Sequence, residues 1–204
     1  MSFITKDFRE YYKLIYETGI YPESRTFTIN SEIDDDTLER VRCAFQILKG
    51  GPITCIINSP GGDVVVGMAI IAYFNKYTKE TGYPVDVVVD GMAASMACVI
   101  MQGATGRRIA RPDAVMMHHV GSIAINSDHF TNVKHLVKFQ EKYAKRINDL
   151  MLRRVNEKRA QQVDKNGEPL KPRTESWWEE RDQLDRWMDA EEALELGLID
   201  EISL

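Results

Sequence analysis

A chain of 204 residues, 44% apolar and 28% charged, has the make-up of a globular protein with one sizeable core. Its 26 basic and 31 acidic side chains leave a formal charge of −5, too small an imbalance to point to nucleic acid or a membrane surface. No apolar run approaches the ~20 residues of a membrane-spanning helix, and Lys6, Asp7, Arg9 and Glu10 stand where a secretory peptide would be apolar, so a cytoplasmic protein is expected.

The elements follow from periodicity and breakers. "RTFTI" reads as a short strand, and "DDDTLERVRCAFQILKGG" as a helix opened by acidic residues and closed by glycines, with Leu38, Val41, Phe45 and Leu48 on one face. "ITCII" is a buried strand leading into the helix "DVVVGMAIIAYFNKYTKETG". "PVDVVVD" is the next strand, leading into a second helix, "GMAASMACVIMQGA". Two strand–turn–helix units in succession indicate a parallel sheet covered by helices, an α/β fold. "RRIA" and "AVMMH" are short strands joined by a turn at Arg111, Pro112 and Asp113.

The longest helical pattern is "SDHFTNVKHLVKFQEKYAKRINDLMLRRVNEKRA", whose stripe runs through Val133, Leu136, Val137, Gln140, Tyr143, Ile147, Leu150 and Met151. Either part of this stripe meets another subunit or the helix curls over its own sheet. "VDKNGEPLKPRT" is a loop, and Trp177 and Trp178 beyond it either face a partner or cover the loop, the second reading being preferred. In "DAEEALELGLIDEI", Asp189 and Glu192 make a capping box, Gly197 stops the helix and the last residues return to the sheet. Cys43, Cys55 and Cys98 have neither Cys-x-x-Cys nor metal-ligand spacing and read as small buried residues. No cofactor and no metal are expected.

Three strand ends carry the chemistry. "INSPGG" puts Gly61 and Gly62 where a parallel strand gives way to a helix, a place where main-chain amides are free to donate. A phosphate cradle is excluded, since no Gly-x-x-x-x-Gly-Lys-Ser/Thr run is present. "DGMAASMA" puts Ser95 at the same level one strand over, so the amides of Gly62 and Met96 are able to point at one oxygen, the geometry of an oxyanion hole beside a nucleophile. A serine needs a base, and the third strand ends in His118 and His119. Alternation turns these two to opposite faces, so one of them meets Ser95. His129 and His135 on the long helix read as solvated. Asp113, Asp182, Asp185 and Asp200 all remain open as the acid that orients the base.

These residues resemble the Clp protease proteolytic subunit family over roughly the last three quarters of the chain. "INSPGG" with "GMAI" is similar to its oxyanion turn, "GMAASMA" to its nucleophile turn, "VMMHH" to its Met-Ile-His-Gln-Pro strand end, and "LDRWMDAEEALELGLID" to its Asp-Arg-aromatic segment. The resemblance implies a catalytic set of Ser95, His118 and Asp185, oxyanion amides on Gly62 and Met96, and substrate binding at Gly61, Gly121, Ser122 and Ile123. It implies a crotonase-like fold of stacked β-β-α units with the long helix as a projecting handle. It also implies seven-membered rings, one or two, enclosing a chamber for polypeptide substrates, and a ring-shaped AAA+ ATPase partner that unfolds them. Residues 25–204 would form the protease domain, with an apparent insertion near 161–183. Residues 1–24 do not resemble the family's ATPase-contacting loop, so docking of the usual unfoldase is open, as in a phage-borne virion-processing protease. Two other classes compete: a catalytically silent ring subunit or scaffold, and a crotonase-type acyl-CoA enzyme, which shares oxyanion amides but needs no serine, histidine and aspartate set.

Overall fold

A computed structural model describes residues 6–119, 121, 129–181 and 184–204. In chain order the elements are α1 (Lys6–Thr18), β1 (Ile20–Tyr21), β2 (Thr26–Ile29), α2 (Asp35–Ile47), β3 (Ile53–Ser59), α3 (Val64–Thr81), β4 (Val85–Ala94) and α4 (Met96–Gln102). Then come β5 (Arg108–Ala110), β6 (Val115–His118), α5 (Phe130–Arg159), α6 (Glu175–Arg181), β7 (Arg186–Met188), α7 (Ala190–Leu196) and β8 (Glu201–Ile202).

Strands β1-β2-β3-β4-β5-β8 run side by side, parallel except for the β1/β2 pair. The expected parallel α/β core is therefore present. Alternate residues of β3 and the first half of β4, Ile53, Cys55, Ile57, Val85, Val87 and Val89, are fully buried, as strands covered by helices require. Phe27, Phe45 and Phe74 meet edge-on or tilted between α2, α3 and the sheet. Side chains set the helix starts: Asp34 accepts from the Thr37 amide (2.8 Å), Asp63 from the Val66 amide (2.9 Å), and Asp189 with Glu192 forms the reciprocal box expected for α7.

β4 differs most from expectation. The helix expected over residues 91–104 begins only at Met96, because β4 continues through Gly91 to Ala94. Its first half pairs with β5 and its last three residues pair with β6 (Met92 with Val115, Ala94 with Met117). The change of partner occurs at an irregularity in the β3/β4 register, where Asn58 Oδ1 accepts from the Met92 amide (3.2 Å). A Cβ on Gly91 would lie 2.8 Å from that oxygen, so any other residue would have to push the Asn58 side chain aside. Pairing across the sheet thus overrides the helix preference of this Ala- and Met-rich stretch.

α5 spans 30 residues, about 45 Å at 1.5 Å per residue. Met151 and Val155 near its C-terminal end are buried in the core, and Arg154 donates to the carbonyls of Gln102 (3.0 Å) and Ala104 (2.6 Å). Among the described side chains of α5 before Met151, none is buried, so the helix is docked at one end and projects at the other. After a loop with a Val163/Pro169 bridge, α6 folds back onto α5, held by Lys145–Glu175 (2.7 Å) and by Asn156, which bonds the Arg173 main chain twice (2.7 and 3.0 Å). Trp178 is buried in the core and Trp177 packs at its edge, under the Arg173 guanidinium. Cys55 and Cys98 are buried and burial pushes the Cys55 thiol pKa up, whereas Cys43 is exposed on α2, unlike its expected place. α1, which the sequence reading left unassigned, presents Phe8, Tyr12 and Tyr16 to solvent. No helix among the described residues is long and apolar enough to cross a membrane.

Candidate active site

The C-terminal ends of β3, β4 and β6 converge on Ser95. Its backbone lies at φ 52°, ψ −123°, a region that side-chain-bearing residues avoid, which puts the serine on a sharp turn between β4 and α4. The Ser95 amide donates to the Met117 carbonyl of β6 (2.8 Å), fixing one side of the turn. On the other side lies Gly61, at φ 101°. A Cβ there would come within 2.7 Å of Ser95 Cβ and the Ala94 carbonyl and 2.9 Å of the Met96 nitrogen. The close approach that two glycines allow is thus made to the serine itself.

Gly62 is bridged to Ile33: Ile33 donates to the Gly61 carbonyl and Asp63 donates to the Ile33 carbonyl, both at 2.8 Å. In such a bridge the flanking groups face Ile33, and the N–H of Gly62 faces away from it. Met96 is the first residue of α4, where an amide has no intrahelical acceptor. Gly62 and Met96 thus belong to the two turns that meet beside Ser95.

Ser95 Oγ lies 2.8 Å from His119 Nε2, and His119 Nδ1 lies 3.2 Å from Asp185 Oδ1. A carboxylate only accepts, so the imidazole proton sits on Nδ1 and the Nε2 lone pair faces the serine hydroxyl. The partner of Ser95 is His119 and not His118, the residue chosen on resemblance. The reason is the period of two in β6. Antiparallel β6 and β7 pair Met116 with Met188, Met117 with Trp187 and His118 with Arg186. One step further along the same register sets His119 opposite Asp185, with both side chains on the Ser95 face. His118 turns the other way: it is 3% exposed and its ring meets Trp178, 5.5 Å between centroids at 58°.

Of the other carboxylates weighed, Asp113 is exposed in the turn before β6 and Asp182 lies outside the described residues. Asp200 is bound to Arg108, through Nε (3.0 Å), the main-chain amide (2.8 Å) and a second guanidinium nitrogen. Burial pushes the Asp200 carboxyl pKa up, but the hydrogen bonds and charge of Arg108, with Arg154 behind, outweigh it and hold the value below the usual carboxylate range. His129, just before α5, and His135 on it are exposed.

Beside Ser95 opens an apolar pocket walled by Val64, Met96, Val99, Ala144 and Ile147. It continues along α5 past Val137 and Tyr143. Gly121, expected to bind substrate, lines both parts, whereas Ser122 and Ile123 lie outside the described residues. The α5 wall was not anticipated; its signal was the step from Ala144 to Ile147 and Asn148 on one helix face. No cluster of three or more His, Cys, Asp or Glu side chains fit for a metal occurs among the described residues.

A model of the Clp protease family matches residues 16–204. The chain is 33% identical over 152 residues to the ATP-dependent Clp protease proteolytic subunit of Streptococcus mutans, covering 72% of this chain and 65% of that protein. It is 34% identical over 155 residues to the ATP-dependent Clp protease proteolytic subunit 1 of Chlamydia muridarum, covering 75% and 70%. The Streptococcus equi subsp. equi protein of the same description as the first is 33% identical over 152 residues. The match thus spans about 65% of the length of the streptococcal relatives. With nearly its whole length matched by the family model, and with a parallel sheet, split strand and projecting helix that fit that fold, this chain belongs to the Clp protease family.

Proposed function

We propose that the protein is a serine endopeptidase that cleaves polypeptides through an acyl-enzyme. The observation that carries this reading is the line from Ser95 Oγ through the His119 imidazole to Asp185, beside the Gly62 and Met96 amides. His119 Nε2 takes the hydroxyl proton as Ser95 Oγ adds to the scissile carbonyl. Asp185 holds the tautomer and stabilises the imidazolium, while the two amides meet the oxyanion. As the intermediate collapses the C–N bond breaks, His119 gives its proton to the leaving amine, and an acyl-Ser95 ester remains. Water, deprotonated by His119, then adds to the ester and Ser95 Oγ leaves with the proton. The apolar pocket beside Ser95 receives a side chain of an extended substrate held mainly by its backbone.

The same reading has the subunits enclosing a chamber, as one or two seven-membered rings, in a soluble cytoplasmic particle, with residues 25–204 as the protease domain. The relatives are named ATP-dependent, and this chain has no phosphate-binding glycine loop, so an unfolding ATPase would be a separate AAA+ partner. The test is labelling of the assembled protein by a fluorophosphonate. Wild type should carry the label on Ser95, and Ser95→Ala should carry none. An unlabelled wild-type particle would reject the peptidase, and acyl-CoA retained on purification would point to the crotonase-type alternative.

A further inference from the structure

We propose that Trp178 is a positioning residue for the Ser95, His119 and Asp185 relay. It fills the space behind His118 and so holds the tip of β6 in the rotation that aims His119 at Ser95. The inference rests on the peptidase reading and concerns a residue that touches neither substrate nor reacting atoms.

Its basis is the placement of α6. Trp178 and His118 are each only 3% exposed, and their rings are in contact. His118 is the last residue of β6 and the neighbour of His119, which lies beyond the strand end and is itself partly exposed. β6 is paired on one side with β4 and on the other with β7, whose Arg186 lies opposite His118. On the face turned away from Ser95, the indole of Trp178 packs against the His118 ring. A backbone rotation that carried the His118 ring into a space vacated by the indole would also move His119, because the two residues share one planar peptide unit. Near-attack geometry is sensitive to shifts of about 1 Å, which can cost ~10²-fold in rate. The indole is in turn fixed to α5: α6 is tied to it by Lys145–Glu175 and by the double bond of Asn156 to Arg173, and the Thr174 hydroxyl caps the Trp177 amide (3.3 Å). The long helix is thereby connected, through α6 and the Trp178 ring, to His118, the neighbour of His119.

The experiment compares wild type, Trp178→Ala, Trp178→Phe and Trp177→Ala as assembled particles. Competent sites are counted by fluorophosphonate labelling, and peptide turnover is expressed per labelled Ser95. For Trp178→Ala, kcat per labelled site should fall about tenfold or more with KM within twofold, since a misaimed base slows chemistry and leaves binding intact. Trp178→Phe keeps a ring against the imidazole and should recover to within threefold of wild type. Trp177→Ala removes the neighbouring indole and should leave kcat per site unchanged. If Trp178→Ala does not fold, Trp178→Leu takes its place with the same expectation. Unchanged kcat per labelled site in the alanine or leucine variant, or an equal loss in Trp177→Ala, overturns the proposal while leaving the peptidase reading intact. A wild type that takes no label on Ser95 removes both.

Discussion

Replacing Gly61 by alanine places a methyl carbon where the structure has none to spare. It would sit 2.7 Å from Ser95 Cβ and the Ala94 carbonyl and 2.9 Å from the Met96 nitrogen. Carbon atoms pack at about 3.5–4.0 Å, so the glycine turn and the serine turn must part by roughly 0.8 Å or more. That movement draws the Gly62 amide off the site the oxyanion would occupy. Losing one such donor costs ~10²–10³ in kcat, about 3–4 kcal/mol of transition-state stabilisation. The φ of 101° at Gly61 adds a strain of about 1–3 kcal/mol to the folded state. Gly82 provides the comparison: it lies at φ 75° at the end of α3 with open space around it, so Gly82→Ala carries backbone strain without the clash. Peptide turnover per labelled Ser95 and thermal unfolding should be measured on both variants. Gly61→Ala should lose both stability and kcat, and Gly82→Ala stability alone. If Gly61→Ala keeps kcat within threefold of wild type, the glycine turn does not face the reacting carbonyl and the assignment of Gly62 fails.

The two histidines separate in the same assay. His119→Ala should lower kcat by at least ~10³-fold, within the range a general base supplies. His118→Phe, which keeps a buried ring on Trp178, should lower it less than tenfold; the opposite order would mean that the base lies on the other face of β6. Acid stability tests the Arg108–Asp200 pair. Asp200 has a depressed folded-state pKa, so its contribution is complete above its unfolded value of ~3.9 and is lost as pH falls through the lower folded value. Asp200→Asn should therefore flatten the loss of stability below about pH 4 seen in denaturant titrations. At pH 7 it should be less stable by about 1–3 kcal/mol, less than the cost of breaking a fully buried pair because the Asp200 side chain is 40% exposed. An unchanged acid limb would show that Asp200 is not the group whose protonation loosens β8.

The parts of the fold that could be read from the sequence are those whose signals are local. β3 is a run of β-branched residues ending at Pro60, and α7 carries its capping box and its glycine within nine residues, from Asp189 to Gly197. Ser95 and Gly61 were legible because each stands in a turn that follows a β-branched apolar run by a few residues. The choice between His118 and His119 was not, since "VMMHH" offers no polar alternation: Met116, Met117 and His118 are all buried, so both faces of the strand are covered. The deciding information is the bond from the Ser95 amide to the Met117 carbonyl and the register against β7, both made between distant segments. The continuation of β4 through "GMAA" was hidden in the same way, by pairing with β6 that short-range propensity does not register. Trp178 was visible only as an apolar residue in a loop-rich stretch. Its burial depends on α5 bringing α6 back over the sheet.

The forking of β4 has a mechanical consequence. A strand that changes partner along its length is gripped at both ends, which opposes relaxation of the unfavourable torsion at Ser95 by local slippage. Its release would need β6 to peel away or the β3/β4 seam to open. The nucleophile is thus clamped where two strand pairings meet, and its aim depends on the integrity of both.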